Sequence, residues 1–322
     1  MGFKRWLGAA LACALLHVGA PARAADTIET GLLGSPQAGS WPYYIGIHTG
    51  DFAAAGIHLD IIYVPTPSGL VQQLSAGSLD IVNIGVAEPI HAVARGAPVA
   101  IVRITGAVPP YEMVANPKIK SIKELKGHTV VIGGLLDINR IYLERVLKAA
   151  GLKDSDIDIT VLGNTAGRFA ALKSGTADAT MLVPPINFFA EAAGFTNLGM
   201  MTEFAKDLPF GSTSASLAFA TQHPDTLKRF LAVLDKSMTW FNDDANRQAA
   251  IDLLAAEMAT PDKPIVAQSY DYMRKIGYFS GGDTIPRKGL TTLMDEMAAI
   301  GDTIGKVPFE KLVLPGVARI VN

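Results

Sequence analysis

One stretch of this chain occurs twice. Gly69-Leu-Val-Gln-Gln-Leu74-Ser-Ala-Gly77-Ser-Leu-Asp80-Ile aligns without a gap to Gly167-Arg-Phe-Ala-Ala-Leu172-Lys-Ser-Gly175-Thr-Ala-Asp178-Ala, with Gly, Leu, Gly and Asp in register. Each copy reads as a helix anchored to a sheet by its leucine, a glycine taking the left-handed turn at the helix end, and an aspartate opening a buried strand. Pro89 and Pro185 follow the two aspartates at similar distances. Any α/β protein can reuse such a unit; finding it once in each half predicts two similar lobes.

The surrounding pattern agrees. Short β-branched runs alternate with helical stretches, as in α/β layers built on mainly parallel strands. Strands are expected at 28–33, 58–64, 79–84 and 99–105, and again at 129–132, 159–162, 179–183 and 198–201. Helices are expected between them, near 42–54, 68–75 and 88–95 in the first set and 137–150, 167–173 and 186–193 in the second. Most close on a glycine, as at Gly56, Gly77, Gly96, Gly151, Gly175 and Gly194. Beyond residue 220 the pattern turns helical, near 225–241, 246–259, 264–276 and 288–300, and this tail is expected to pack on the first lobe.

The first residues read as an export signal. Lys4 and Arg5 precede an apolar run through Leu16, and Ala22-Arg23-Ala24 supplies a small-x-small cleavage site, so cleavage is expected after Ala24. The run is too short to span a bilayer, which needs about 20 residues. Cys13, the single cysteine, sits inside that run rather than after it, against a lipidation site. The whole chain has a net charge of −2; removing Lys4, Arg5 and Arg23 takes the mature chain to −5 and leaves it without cysteine. That charge removes the electrostatic attraction on which nucleic-acid binding depends, and the lone cysteine excludes a disulfide framework and a thiolate metal cluster.

Several segments then resemble the extracytoplasmic solute-binding proteins of ABC importers, in the branch that binds nitrate, alkanesulfonates, taurine, thiamine-precursor pyrimidines and aromatic acids. They are Tyr43–Gly56, Leu74–Gly85, Arg95-Gly96-Ala97-Pro98, Ser121-Ile-Lys-Glu-Leu-Lys-Gly127 and Ala171–Ala179, in the family's order. The resemblance implies an α/β fold of the two-lobed, type II periplasmic-binding-protein kind. Residues 25–107 and 213–322 would form lobe one and 108–212 lobe two, joined by crossovers near 106–111 and 208–216, with Gly106 and Gly211 suited to act as hinges. It also implies a small-molecule ligand, a membrane-embedded ABC permease as partner, a periplasmic location, a monomer, and no cofactor.

In parallel sheets a ligand lies beyond the carboxyl ends of the strands, where helix N-termini offer free N–H groups. Five loops qualify. In the first, Ser35 and Ser40 supply hydroxyls and Trp41 either an aromatic ligand face or a surface anchor. In the second, Asn83 faces in or out by one residue of register; Glu88 reads first as a helix-start carboxylate, the cleft being its other place. In the third, Gly134 allows close backbone approach, Leu135 stands where the family often has a hydroxyl, and Asn139 and Arg140 open the next helix. Arg168 in the fourth occupies a similar place. A cation is disfavoured at a helix start, so either arginine could clamp an acidic ligand head, or simply pair on the surface. Pro184 and Asn187 mark the fifth loop, near which the resemblance places ligand contacts, and Thr213 adds a hydroxyl at the return crossover.

The chain carries no Gly-x-Ser-x-Gly, no His-Glu-x-x-His and no phosphate-binding Gly-x-x-x-x-Gly-Lys motif, and its histidines have no metal-ligand spacing. The pyrimidine-synthase relatives of this branch carry a cysteine cluster that the mature chain lacks. The sequence therefore points to a non-enzymatic protein that binds a small organic anion, a carboxylate or sulfonate, for import. A thiamine-precursor pyrimidine or other neutral heterocycle is the alternative ligand, and an exported hydrolase or lyase using Glu88 or Asp137 is the alternative of another class.

Overall fold

The computed structural model describes residues 25–260, 262–302 and 307–322. The segment read as an export signal, with Cys13, lies outside the described residues.

Two five-stranded sheets form the frame. The first holds β1 (Asp26–Leu33), β2 (Ile57–Val64), β3 (Ile81–Gly85), β4 (Val99–Gly106) and β10 (Gly211–Ser216), in the order β2-β1-β3-β10-β4. The second holds β5 (Glu112–Ala115), β6 (Thr129–Ile132), β7 (Asp158–Val161), β8 (Ala179–Leu182) and β9 (Thr196–Met200), in the order β7-β6-β8-β5-β9. The two orders are the same pattern. In each, β1 or β6 runs parallel to two neighbours, and a single antiparallel strand, β10 or β5, is inserted beside the last strand. Residues 107–111 link β4 to β5, close to the first crossover expected, and residues 201–210 link β9 back to β10; the second crossover, expected near 208–216, lies earlier because 211–216 is itself a strand of the first sheet.

Helices α1 (Trp41–His48), α2 (Asp51–Ala54), α3 (Pro67–Ala76) and α4 (Ala87–Ala94) flank the first sheet. Those between the strands of the second are α5 (Ile138–Ala150), α6 (Thr165–Ser174) and α7 (Ile186–Ala192), with α8 (Thr202–Ala205) on the return. Gly50, at φ 74°, divides what reads in sequence as one helix into α1 and α2.

The tail comprises α9 (Leu217–Gln222), α10 (Pro224–Phe241), α11 (Arg247–Glu257), α12 (Lys263–Lys275), α13 (Arg287–Ala299) and α14 (Phe309–Leu312), with a small pair β11 (Thr284–Pro286) and β12 (Arg319–Val321). It does not keep to the first sheet. Helices α10 and α11 pack on α1, but α13 packs on α5 of the second sheet, where Arg145 Nε donates to both oxygens of Glu296 at 3.0 and 3.1 Å. The apolar core is correspondingly shared: Ile101 and Ile104 of β4 join Ile141, Tyr142 and Met181 of the second half and Leu290 and Leu293 of the tail in one cluster.

The repeated unit has the same local chemistry in both halves. Thr66 Oγ1 accepts from Gly69 N at 3.1 Å and Asn164 Oδ1 from Gly167 N at 2.6 Å, capping α3 and α6. Gly77 and Gly175 close those helices at φ 75°, a region open to glycine at little cost. The backbone N–H groups of Glu29 and Thr129 then donate to Asp80 Oδ2 and Asp178 Oδ2, each at 3.0 Å. The aspartates thereby stitch the start of each following strand to its neighbour.

Candidate functional site

The carboxyl ends of β1, β3, β6, β7 and β8 converge on one cavity of about 400 Å³ between the sheets, within the range of small-molecule sites. The five loops expected from strand direction all reach it: Leu33–Gln37, Gly85 with Glu88, Asp137–Asn139, Gly163–Ala166 with Arg168, and Val183–Ile186. Tyr111 and Phe210, from the two connections, also line it, their rings edge-to-face at 5.3 Å. A mouth region of about 590 Å³ continues past Glu88 and Asp137 to Gly134, Leu136, His91 and Arg95. On another side a narrow chamber of about 90 Å³ is walled by Asn83, Tyr111, Phe210 and Tyr278.

Arg168 dominates the electrostatics. It is 1% exposed. Its Nε donates to Met181 O at 3.2 Å, Nη1 to Leu162 O and Gly163 O at 3.3 Å each, and Nη2 to Thr165 Oγ1 at 3.1 Å. These are neutral acceptors. Among the described residues no carboxylate lies within ion-pair distance of this guanidinium, which is held in the cavity wall by three carbonyl oxygens and the Thr165 hydroxyl, with Asp137 near enough to feel its charge. Burying a charge without a counterion is costly, and an incoming anion relieves that cost.

Two acids face the same space. Asp137 caps α5, its Oδ1 accepting from Asn139 N at 2.8 Å. Burial raises its pKa to about 6, against the pull of that N–H and of the Arg168 charge. A Cβ on Gly133 would fall on Asp137 Oδ2, so only glycine lets the carboxylate fold under the loop. Glu88 lies in the first turn of α4, whose N-cap, Val86, has no side-chain cap. Its Oε2 is sealed from solvent without a hydrogen-bond partner, and burial, with the nearby Asp137 charge, raises its pKa to about 8. Glu88 therefore occupies both the places open to it in sequence: a helix start and the cavity wall. Asn139 donates from Nδ2 to the Tyr111 hydroxyl at 3.4 Å, and its Oδ1 is buried without a partner.

Of the residues picked from sequence, Ser35, Glu88, Asn139, Arg168 and Pro184 line the main cavity and Gly134 lines its mouth. Asn83 reaches only the narrow chamber, and its amide is committed, donating to Gly39 O at 3.0 Å and accepting from Thr105 Oγ1 at 3.1 Å.

The others are elsewhere. Trp41 is fully buried, its Nε1 donating to Ala250 O at 2.8 Å and its ring packed on Phe241 and Tyr270. It anchors the tail rather than facing a ligand. Ser40, beside it, is buried at the start of α1, away from the cavity. Arg140 turns outward to Asp154 and, at 2.8 Å, to Glu144, the surface pairing that was its other reading. Leu135 is 57% exposed and Leu136, its neighbour, takes the place at the mouth. Asn187 is buried behind the wall, donating to Glu112 Oε2 at 2.6 Å. Thr213 sits within β10, its hydroxyl 2.7 Å from that of Tyr43. Tyr111, Phe210, Thr165 and Asp137 are among the lining residues that were not picked as ligand contacts; the first two were visible only as members of the connecting segments.

Comparison with known proteins gives one consistent picture. A protein of Escherichia coli (strain K12) named for binding aliphatic sulfonates is 29% identical over 221 residues, and the chain spans 66% of that relative's length with 66% of its own. The crystal structure of the periplasmic aliphatic sulphonate-binding protein SsuA from Escherichia coli superposes with a TM-score of 0.72 at 21% identity, covering 92% of this chain and 94% of that one. The desulfurization enzyme DszB shares the fold as well, with a TM-score of 0.66 at 15% identity over 91% of this chain and 97% of its own. The model of the family described as NMT1/THI5 like matches residues 37–247, more than half of the sequence, and the chain belongs to that family.

Proposed function

We propose that this protein captures a small organic anion, a carboxylate or sulfonate, in the cavity between its sheets and delivers it to a membrane-embedded ABC permease in the periplasm. Arg168 carries the reading. It is a buried cation at the cavity wall with no carboxylate in ion-pair contact among the described residues, and an anionic head completes its coordination with charge-assisted hydrogen bonds. The apolar side chains of Leu33, Ile84, Val183, Ile186 and Phe210 leave room for a hydrophobic body behind the head. The sulfonate-binding names of the relatives support the same ligand class.

In this reading the first sheet, with β10 and the tail helices packed on α1, acts as one lobe and the second sheet, with α13 packed on α5, as the other. Gly106 and Gly211, whose backbones approach one another under the Tyr278 ring, bend as the lobes close. The test is a thermal-shift and calorimetric panel of alkanesulfonates, arylsulfonates, aliphatic and aromatic carboxylates and nitrate. A ligand at a hundredfold excess over its Kd stabilises the fold by ~2.7 kcal/mol, and small-angle scattering should report a more compact particle. A panel with no shift removes the anion reading.

The shared fold of DszB keeps one second reading in view, turnover of a bound sulfur compound. Among the described residues, no hydroxyl lining the cavity is hydrogen-bonded to a histidine in the manner of an activated nucleophile. The protein is accordingly read as a binder, and recovery of the ligand unchanged after prolonged incubation is the expected result. Accumulation of sulfite or another product would replace this reading with the enzymatic one.

A further inference from the structure

We propose that the cavity takes up its ligand together with a proton: as the acidic head docks on Arg168, Asp137 gives up its role as the nearest counter-charge and becomes a neutral carboxylic acid. This rests on the anion reading above and adds how the same site is regulated.

Arg168, Asp137 and Glu88 line the same cavity, and the Tyr111 hydroxyl lies within electrostatic reach of all three. Asp137 is held by backbone N–H groups, its Oδ1 accepting from Asn139 N at 2.8 Å and Arg140 N at 3.4 Å, and Glu88 Oε2 has no partner. One guanidinium thus faces two carboxyl groups, and the ligand brings a third acidic group. Like charges that share a buried site drive one another to the neutral form, so three negative charges around one positive charge are not held together out of water.

In the empty cavity the charges cancel with one acid ionised. Burial, with the neighbouring Asp137 charge, raises the Glu88 pKa to about 8, so at neutral pH this group is mainly the neutral acid. Burial raises Asp137 only to about 6, because the N–H groups and the Arg168 charge oppose it, so Asp137 is mainly the carboxylate. When an anion takes the guanidinium, neutrality requires Asp137 to be protonated. The proton comes from solvent and is held on the Asp137 carboxyl; no other bond is made or broken.

The remaining charged groups nearby are engaged elsewhere or exposed. His91, one turn along α4 from Glu88, is paired with Asp302, and Arg140 is turned out to Glu144 and Asp154. Arg95 is exposed at the mouth. The coupling also serves release. When the lobes part, water reaches Asp137 and favours its charged form, and the carboxylate that reappears near Arg168 competes with the ligand for that charge.

The experiment is isothermal calorimetry on the mature protein between about pH 5.5 and 9, at each pH in buffers of different ionisation enthalpy. The probes are ethanesulfonate, butanesulfonate, benzenesulfonate and benzoate, which stay ionised across that range. At neutral pH each bound anion should take up about one proton. Affinity should be nearly level below about pH 6, fall about tenfold per pH unit from there to about 8, and fall more steeply above 8, where Glu88 must be reprotonated as well. Asp137→Asn keeps a side chain that caps helices well; it should abolish the uptake at neutral pH and level the curve up to about 8. Glu88→Gln should remove only the steepening above about 8.

Proton release on binding overturns the proposal, as does an absence of proton exchange at neutral pH with an affinity that is level from about pH 6 to 8. An uptake that Asp137→Asn leaves intact overturns it too, since the proton then goes elsewhere. Should that variant fail to fold, the proton count and the slope of the wild type decide alone. If no probe binds at any pH, it is the anion reading that falls, and this inference with it.

Discussion

The two copies of the repeated unit match in cap, glycine and aspartate, and differ sharply at one buried position. Leu70 in the first unit and Arg168 in the second follow the same capped glycine, and their exposures are 0% and 1%. In the first half the position packs into an apolar cluster with Val64, Leu74 and Leu79. In the second it holds a guanidinium against carbonyl oxygens at the cavity wall. The first unit shows what the position does when only packing matters. The arginine is thus a departure from a working structural solution, and ligand charge is the reason we assign to it.

Exchanging the two residues is the direct way to break this comparison. Leu70→Arg places a charge where no carbonyl cradle exists, and a loss of about 4 kcal/mol or outright failure to fold is expected in urea denaturation. A mild effect there would mean that the unit tolerates charge generally and that Arg168 carries no special meaning. Arg168→Leu should weaken anion binding about a hundredfold, the scale of a truncated charge-assisted contact. Stability should change by no more than about 2 kcal/mol, because the lost hydrogen bonds are offset by relief from burying a charge. Retained affinity would detach the difference between the halves from function.

Glu88 sharpens the comparison from the other half. Burial raises its pKa from the ordinary 4.5 to about 8, so on raising the pH the unfolded chain ionises before the folded one. The ligand-free protein should be at its best with respect to this group below about 4.5 and lose stability progressively up to about 8. Glu88→Gln should flatten that decline by several degrees in Tm across the interval, and a melting curve series that is unchanged by the substitution would contradict the burial argument. The smallest effect tests what the halves share. Gly77→Ala and Gly175→Ala, both at φ 75°, should each cost about 1 kcal/mol and by similar amounts. A large difference between them would show that the matched caps are not equivalent in strength.

How much of this could be read beforehand depended on whether the information was local. The repeat, its caps and most strands are set by residues within a few positions of one another; β6 runs over Thr129–Ile132 as its β-branched run indicates. The rule that ligands lie beyond parallel strand ends located all five loops at the cavity. Strand β10 was visible only as a crossover because Gly-Ser-Thr-Ser-Ala-Ser has no apolar run; the hydroxyls of Ser212 and Thr213 are buried instead on Ile84 O and Tyr43. Trp41 misled because its partners Ala250, Phe241 and Tyr270 are some two hundred residues away. Arg140 and Arg168 look alike as arginines near a helix start, yet Glu144 four residues after Arg140 offered it a local surface partner.

The inserted antiparallel strands have a consequence for the order in which the chain can mature. The second sheet is complete in one unbroken stretch, from Glu112 to Met200, whereas β3 and β4 are joined only through β10, which begins at Gly211. A chain emerging from its amino end therefore presents a first half that cannot close until the second has passed. The second sheet can therefore form before the first is complete, and the order of folding is expected to run against the order of synthesis.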